Sequence, residues 1–244
     1  MNIKINVEYI GSNYAGWQKQ KNHITIQEML EKELNTLIGE KISLVGSGRT
    51  DAGVHATDQV ASFKLDKNIN IEGIMANVNK KLPKDIRIKK CEKVKDDFHA
   101  QFSAISKTYL YKIKILKNID VFEKDRIFYC KNELKISDLK MVSKFFEGEK
   151  NFINFCKKDY SGSNTIRKIE SISITQAGNY INIKIKGNGF LRGMVRLIVG
   201  SMINFCKGSL SKKEIKDALN YESKPLNINY SVPPHGLYLI KVRY

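Results

Sequence analysis

The chain is poor in the residues that build disulfides and metal centres. Of its 244 residues, four are cysteine, four are histidine and one is tryptophan. The cysteines are widely scattered and lack the paired spacing of a structural zinc site or a redox dithiol; they are Cys91, Cys130, Cys156 and Cys206. Free thiols of a cytosolic protein are therefore expected.

Long apolar runs are also missing. No segment approaches the 18 consecutive apolar residues that indicate a membrane-spanning helix. The N-terminus runs directly into a strand-like alternation, without the pattern of a signal peptide. These features predict a cytoplasmic protein with no membrane partner.

Acidic residues are scarce relative to basic ones. Asp and Glu number 25 against 42 Lys and Arg, which gives a formal net charge of +17. A lysine-rich composition also arises from AT-biased genomes, but such a bias does not explain the shortage of acids. The excess favours a polyanionic partner, because each neutralised phosphate releases condensed counterions.

One stretch, Gly46 to Ala56, concentrates glycines and polar residues in eleven positions. It is not a phosphate-binding P-loop or a dinucleotide fingerprint, because the Lys-Ser/Thr pair and the third glycine are absent. A metal site formed by Asp51, His55 and Asp58 would lack regular ligand spacing. A connecting turn with an incidental Arg49–Asp51 ion pair is one interpretation, and a carboxylate presented for cofactor-free chemistry is the other.

Hydrophobic periodicity predicts six elements in the first hundred residues. Strands are expected at 3–9, 41–45, 59–65 and 86–94, and helices at 26–38 and 71–82. Thr25 with Glu28 marks the start of the first helix, and Gly39 marks its end. The order β-α-β-β-α-β is typical of a ferredoxin-like unit.

The second half repeats this order without obvious sequence identity. Strands are expected at 107–113, 167–175, 180–186 and 237–242, and helices at 139–146, 190–205 and 212–219. The predicted fold class is α+β, with two fused ferredoxin-like (RRM-like) halves, a joined antiparallel sheet and a central basic cleft. The predicted subdomains are 1–104, which carries the Asp51 loop, and 105–244, which completes the cleft.

The segment Gly48-Arg-Thr-Asp-Ala-Gly-Val-His-Ala56 resembles the active-site motif of the TruA family of tRNA pseudouridine synthases. The resemblance places the family's catalytic aspartate on Asp51 and the arginine of the same motif on Arg49. Thr50 and His55 belong to the motif as well, and they are expected to bind substrate with Arg49.

Other segments carry the same resemblance. Gly187 to Arg196 is similar to the family's Phe-Leu-x-x-Met-Val-Arg motif, which places the arginine that pairs with the catalytic aspartate on Arg196 and a substrate-binding aromatic residue on Phe190. An arginine in an otherwise apolar helix also requires a buried carboxylate partner. Capping of a surface turn is the alternative role for Arg196.

Tyr109 and Leu237 match the family's active-site tyrosine and the apolar residue that packs on the target base. For Tyr109, the alternative is a cross-strand aromatic residue in a sheet core. Three residues depart from the family's pattern where substrate contacts are expected: Gln101, Lys150 and Asn151.

The resemblance extends from Tyr9 to Tyr244 and implies a pseudouridine synthase acting on anticodon stem-loop uridines of tRNA. In this interpretation the target base is flipped, Asp51 is the catalytic carboxylate, and Arg196 and Tyr109 complete the catalytic set. No cofactor or metal is expected, because the reaction is not a redox reaction, and the family implies a homodimer. A paralogue that modifies ribosomal RNA and a non-catalytic RNA-binding protein remain alternatives.

Overall fold

The final strand of the chain pairs with a strand of its first half. The computed structural model describes residues 1–66, 70–116, 119–157, 164–220 and 230–244. These form two compact units: unit 1 comprises Met1–Ile105 with Tyr238–Tyr244, and unit 2 comprises Ser106–Leu237. The predicted boundary assigned all of 105–244 to the second subdomain. In the structure, Tyr238 pairs in parallel with His55, which brings the last strand into unit 1.

Unit 1 is an α+β unit with a mostly antiparallel sheet. Its elements are β1 Asn2–Tyr9, α1 Ile26–Ile38, β2 Val45–Gly46, β3 His55–Lys64, α2 Ile71–Lys81, β4 Ile86–Val94 and β10 Leu237–Arg243. Strand β1 lies between β4 and β3, and β2 pairs with β3. This is the strand order of a ferredoxin-like unit, as the sequence predicts.

The local signals of unit 1 explain its helix ends. The Thr25 side chain accepts a hydrogen bond from the Glu28 amide at the start of α1, and Gly39 ends the helix with a left-handed φ of 74°. On β1, Ile3, Ile5 and Val7 are fully buried, because alternate side chains of a strand face the core.

Two boundaries in unit 1 differ from the prediction. The strand expected over 41–45 is reduced to the short β2, and β3 begins at His55 instead of Gln59. His55 starts the strand because its backbone pairs with Tyr238, a contact that no local pattern encodes.

Unit 2 is also α+β. Its elements are β5 Ser106–Ile115, β6 Phe128–Cys130, α3 Ile136–Ser143, β7 Gly148–Asn151, β8 Ile166–Ala177, β9 Tyr180–Gly187, α4 Met194–Cys206 and α5 Lys212–Leu219. The strands lie in the order β7-β8-β9-β5-β6; β5 and β6 are parallel, and the pairs β7–β8, β8–β9 and β9–β5 are antiparallel.

Helix α4 begins four residues later than the sequence predicts, so Phe190 and Arg192 precede it. Gly193 adopts a left-handed φ of 74° at the N-cap position, and this conformation separates the apolar segment before it from the helix. Strands β6 and β7 were not predicted, because three or four residues are too short to show an alternation. No helix in the described ranges is long and apolar enough to span a membrane.

Candidate active site

Asp51 lies in the loop between β2 and β3, at the first position of a tight turn. The Val54 amide donates to the Asp51 carbonyl over 3.1 Å. Gly53, inside the turn, has a φ of 76°, which only glycine adopts without strain. Asp51 is half-buried and Arg49 is exposed. The loop therefore presents a carboxylate and a guanidinium from a defined backbone.

A second segment of unit 1, Gly11–Trp17, holds this loop and is called the clasp below. The Trp17 amide donates to the Thr50 carbonyl over 3.1 Å, and the Gly53 amide donates to the Tyr14 carbonyl over 3.4 Å. At Gly16, whose φ is 97°, an added Cβ would lie 2.5 Å from the Thr50 oxygen. Only glycine allows so close an approach of the two backbones.

Thr50 and His55 face the interior of unit 1. The Thr50 hydroxyl lies 2.8 Å from the Tyr9 hydroxyl, and His55 Nδ1 accepts a hydrogen bond of 2.9 Å from the Gly11 amide. Since Nδ1 is an acceptor, this hydrogen bond requires the neutral imidazole with its proton on Nε2. Burial raises the pKa of Tyr9, so its phenol keeps its proton. With exposures of 6% and 1%, Thr50 and His55 position the loop rather than lie on its surface.

The other end of the loop is held by Gln59. Its Nε2 donates to the Gly48 carbonyl over 2.9 Å, and its Oε1 accepts from the Ser47 hydroxyl over 2.7 Å. Both residues preceding Arg49 are thus bound to a side chain of the following strand.

In unit 2, the predicted aromatic residues form a pair. Tyr109 on β5 is 7% exposed, and its ring meets the Phe190 ring edge to face, with centroids 5.1 Å apart and planes at 81°. Phe190 is half-buried. The contact keeps the Tyr109 ring in one orientation.

Arg196 lies in the first turn of α4 and is half-buried. Its Nε donates to the Val232 carbonyl over 2.7 Å, and the Val232 amide donates to the Arg196 carbonyl over 3.3 Å. The Nε hydrogen bond orients the guanidinium, and the backbone hydrogen bond ties the Val232 segment to the start of α4.

The segment after Val232 leads to Leu237 through a 3-10 turn, Pro234–Gly236. The Tyr111 hydroxyl donates to the Pro233 carbonyl over 2.8 Å, and Leu237 is 5% exposed. Desolvation lowers the pKa of His235, aided by the positive charge of Arg196 and opposed by Asp125. A neutral His235 thus adds no charge to that of Arg196.

All three departures lie in described segments, and Lys150 stands opposite Arg167 where β7 pairs with β8. Asn151 Oδ1 accepts hydrogen bonds from the Thr165 hydroxyl, over 2.7 Å, and from the Ile153 amide, over 3.1 Å. This side chain therefore supports the fold of unit 2. The Gln101 amide donates to His99 Nδ1, and Gln101 is exposed.

Sequence reasoning missed the residues that support the site. Tyr9 contacts Thr50 from 41 residues away in the chain, and Val232 contacts Arg196 from 36 residues away. Gln59 contacts Gly48, in the loop that carries Asp51. Tyr9 and Gln59 occupy predicted strands, but no local pattern distinguishes them from ordinary core residues. Within the described residues, no group of three His, Cys, Asp or Glu side chains is placed to hold a metal ion.

A net charge of +17 favours a nucleic-acid partner, and the carboxylate of Asp51 on its braced loop is placed for chemistry on a bound ligand. A family model described as tRNA pseudouridine synthase matches residues 5–103 and 142–244. The chain therefore belongs to this family, and it is an isomerase that converts uridine to pseudouridine.

Full-length relatives agree with this assignment. The tRNA pseudouridine synthase A of Thermoanaerobacter sp. strain X514 is 38% identical over 243 residues, covering 100% of this chain and 99% of the relative. The tRNA pseudouridine synthase A 2 of Clostridium perfringens is 37% identical, with the same coverage. That of Caldicellulosiruptor bescii is 38% identical over 244 residues, again covering 100% and 99%.

Proposed function

We propose that the chain isomerises uridines in the anticodon stem-loop of tRNA, with Asp51 as the catalytic carboxylate. The observation that carries the proposal is the placement of Asp51. Its side chain is half-buried, and its loop is held by the clasp on one side and by Gln59 on the other. A carboxylate on a backbone fixed in this way is pre-organised for one position on a substrate.

The reaction explains why a carboxylate is needed. The N1–C1′ bond of uridine breaks, the base turns over, a C5–C1′ bond forms, and the C5 proton leaves as N1 gains one. A carboxylate beside the sugar serves as nucleophile or base while positive charge develops there. The product has the same atoms as uridine, and no electron is gained or lost. The chain's own residues therefore suffice for the reaction.

The remaining predicted residues have roles around this step. We assign Arg196 as the ion-pair partner of Asp51, since an adjacent cation keeps a carboxylate ionised and oriented. Its Nε–Val232 hydrogen bond supports this role by fixing the guanidinium. Tyr109, held by Phe190, supplies a ring to stack on the flipped base.

Arg49 and Leu237 complete the proposed site. Arg49 is exposed beside Asp51, which suits contact with the RNA where the base leaves its stack. Leu237 provides an apolar contact for the base. The proposal includes a cytoplasmic homodimer with one tRNA across both subunits, which the family resemblance implies. Light scattering with and without tRNA measures the mass of the protein and of its complex.

The test compares Asp51→Asn with wild type on a tRNA transcript that contains anticodon-arm uridines. Loss of turnover by about 10³-fold or more is expected, because Asn cannot act as nucleophile or base. RNA affinity should change little, since phosphate contacts supply most of it. Pseudouridine is mapped at each uridine after the reaction.

Asp58→Asn is the matched control, because Asp58 is a half-buried acid of the adjacent strand whose oxygen accepts a hydrogen bond from Asn6. Asn at this position retains an acceptor, so near wild-type activity is expected. Modification of ribosomal RNA without modification of the anticodon arm would overturn the substrate assignment. Equal activity of Asp51→Asn and wild type would overturn the role of Asp51.

A further inference from the structure

Unit 1 carries a surface pocket that the proposed catalytic residues do not line. Its volume is about 450 Å³, within the range of pockets that bind small ligands. It is called the β4 pocket below. Its lining includes Lys4, Lys93, Lys95, Asp97, Phe98 and Ser103.

The β4 pocket is separated from the Asp51 loop along β1. Tyr9, at one end of this strand, contacts Thr50, whereas Lys4 near the other end lines the pocket. Five residues of strand span about 17 Å. Contacts in the β4 pocket are therefore binding contacts, remote from the bonds that break.

The charge of the pocket is positive. Lys93 and Lys95 are exposed, and neither forms an ion pair with any residue that the structure describes. Lys4 lies 2.5 Å from Glu92, which also pairs with Lys90. These two lysines lower the pKa of Glu92, so this carboxylate is ionised and already compensated.

Asp97 is the one acid among the lining residues and is outnumbered by three lysines. Lys93 and Lys95 carry like charges that repel each other, so their proximity does not stabilise the fold. The same two charges attract a polyanion. The surroundings of Lys93 and Lys95 thus favour a phosphate-bearing ligand.

One wall of the pocket is an immobilised aromatic ring. Phe98 packs against Tyr244 with centroids 4.8 Å apart, and the Tyr244 hydroxyl donates to the Ala100 carbonyl over 2.8 Å. Lys4 Nζ lies 5.8 Å from the centroid of each ring. A ring fixed beside cations is the combination that binds single-stranded nucleic acid, with bases on the ring and phosphates on the lysines.

The turn that follows Phe98 adds a second, exposed ring. His99 Nδ1 accepts from the amides of Gln101 and Phe102, each over 3.2 Å, and the His99 ring stacks on the Phe102 ring at 4.3 Å. Phe102 is nevertheless 79% exposed. An exposed ring held by its own turn loses little conformational freedom when a base stacks on it.

We propose that the β4 pocket binds a nucleotide of the RNA substrate outside the catalytic loop. Lys93 and Lys95 contact phosphates, Phe98 contacts the sugar or base, and Phe102 stacks on a neighbouring base. The inference rests on the proposed function for its choice of RNA, and it adds a positioning site that sets affinity rather than the rate of chemistry.

The test is the salt dependence of tRNA binding by the full chain carrying Lys93→Gln and Lys95→Gln. Each lost phosphate contact lowers the slope of log affinity against log salt by about 0.7 to 0.9. The double variant should therefore lose about 1.4 to 1.8 in slope, raise KM and leave kcat unchanged. Phe102→Ala should weaken binding about fivefold or more without changing the slope.

The control carries Lys32→Gln and Lys81→Gln, which remove the same charge from exposed positions of α1 and α2. An equal loss of slope in both double variants would overturn the proposal, since net charge alone would explain it. An unchanged slope in the pocket variant, or a changed oligomeric mass, would also overturn it. Binding is measured without turnover, so a failure of the proposed function appears separately, as absence of pseudouridine in the wild-type reaction.

Discussion

The two units hold their candidate catalytic residues in different ways. In unit 1, Asp51 stands on a loop whose shape depends on hydrogen bonds from the clasp and from Gln59. In unit 2, Tyr109 stands on a strand, where its ring contacts Phe190, and Arg196 stands in the first turn of a helix, where its Nε donates to the Val232 carbonyl.

This difference locates the sensitive positions of the molecule. A loop without regular hydrogen bonding keeps its shape only if its backbone groups find partners elsewhere, so its geometry depends on distant residues. A side chain on a strand or helix inherits its position from the whole element. Substitutions remote from the chemistry should therefore disturb Asp51 more than Tyr109 or Arg196.

The largest stability effect is expected for Gly16→Ala, which attacks the clasp directly. The new Cβ would lie 2.5 Å from the Thr50 oxygen, at a φ of 97°. Overlap and backbone strain together should lower the free energy of unfolding by about 2 to 4 kcal/mol. Urea unfolding measures this change, and turnover should fall with it.

Gly73→Ala is the matched control, because an added Cβ in this α2 position meets nothing closer than 3.9 Å. Alanine in a helix interior should stabilise the chain by about 0.5 to 1 kcal/mol. If Gly16→Ala has the same free energy of unfolding as wild type, the clasp does not determine the shape of the Asp51 loop. That result would contradict the difference between the two units.

Arg196→Lys tests the corresponding support in unit 2. Lysine lacks the planar fork, so the contact of Nε with Val232 is lost while the charge remains. Turnover should fall about 10²-fold, equivalent to about 2.7 kcal/mol. Arg192→Lys, at an exposed position before α4, should stay within about 0.5 kcal/mol of wild type in stability. Unchanged kinetics of Arg196→Lys would show that the guanidinium geometry is not used.

The smallest effect is expected for Tyr9→Phe, which removes one buried hydroxyl beneath the Asp51 loop. Thr50 then loses its 2.8 Å partner, and the free energy of unfolding should fall by about 1 to 2 kcal/mol. A double-mutant cycle with Thr50→Val should give a coupling of about 1 kcal/mol, because the two side chains share the lost hydrogen bond. A coupling near zero would contradict a brace between Tyr9 and the loop.

Much of the fold follows from local patterns. The capping signals at Thr25 and Ser211 correctly mark the starts of α1 and α5, and β4 has the predicted bounds. Such signals are readable because an N-cap or a strand alternation involves residues only a few positions apart.

The boundaries that failed depend on long-range contacts. Strand β3 extends back to His55 because of its pairing with Tyr238, and α4 begins after the left-handed Gly193. Neither effect leaves a periodic pattern in the sequence. Asp51 and Arg196 were predicted as site residues because they lie in segments that resemble family motifs. Tyr9 and Val232 were not predicted, because they support the site through contacts between positions far apart in the chain.

By itself, the sequence determined the order of the first six elements of unit 1, the excess positive charge and the motif around Asp51. These properties reside in composition and in short-range spacing, and they are sufficient to assign the family. Only the tertiary structure decided how the motif is held: by the clasp, by Tyr9 beneath Thr50, and by Gly11 on His55. The β4 pocket is tertiary too, because Lys4 joins Lys93, Lys95 and Phe98 only when β1 and β4 pair, and the ring is fixed only when Tyr244 packs on Phe98. Buried hydrogen bonds and ring contacts between distant residues depend on the folded path of the chain, which no local pattern records.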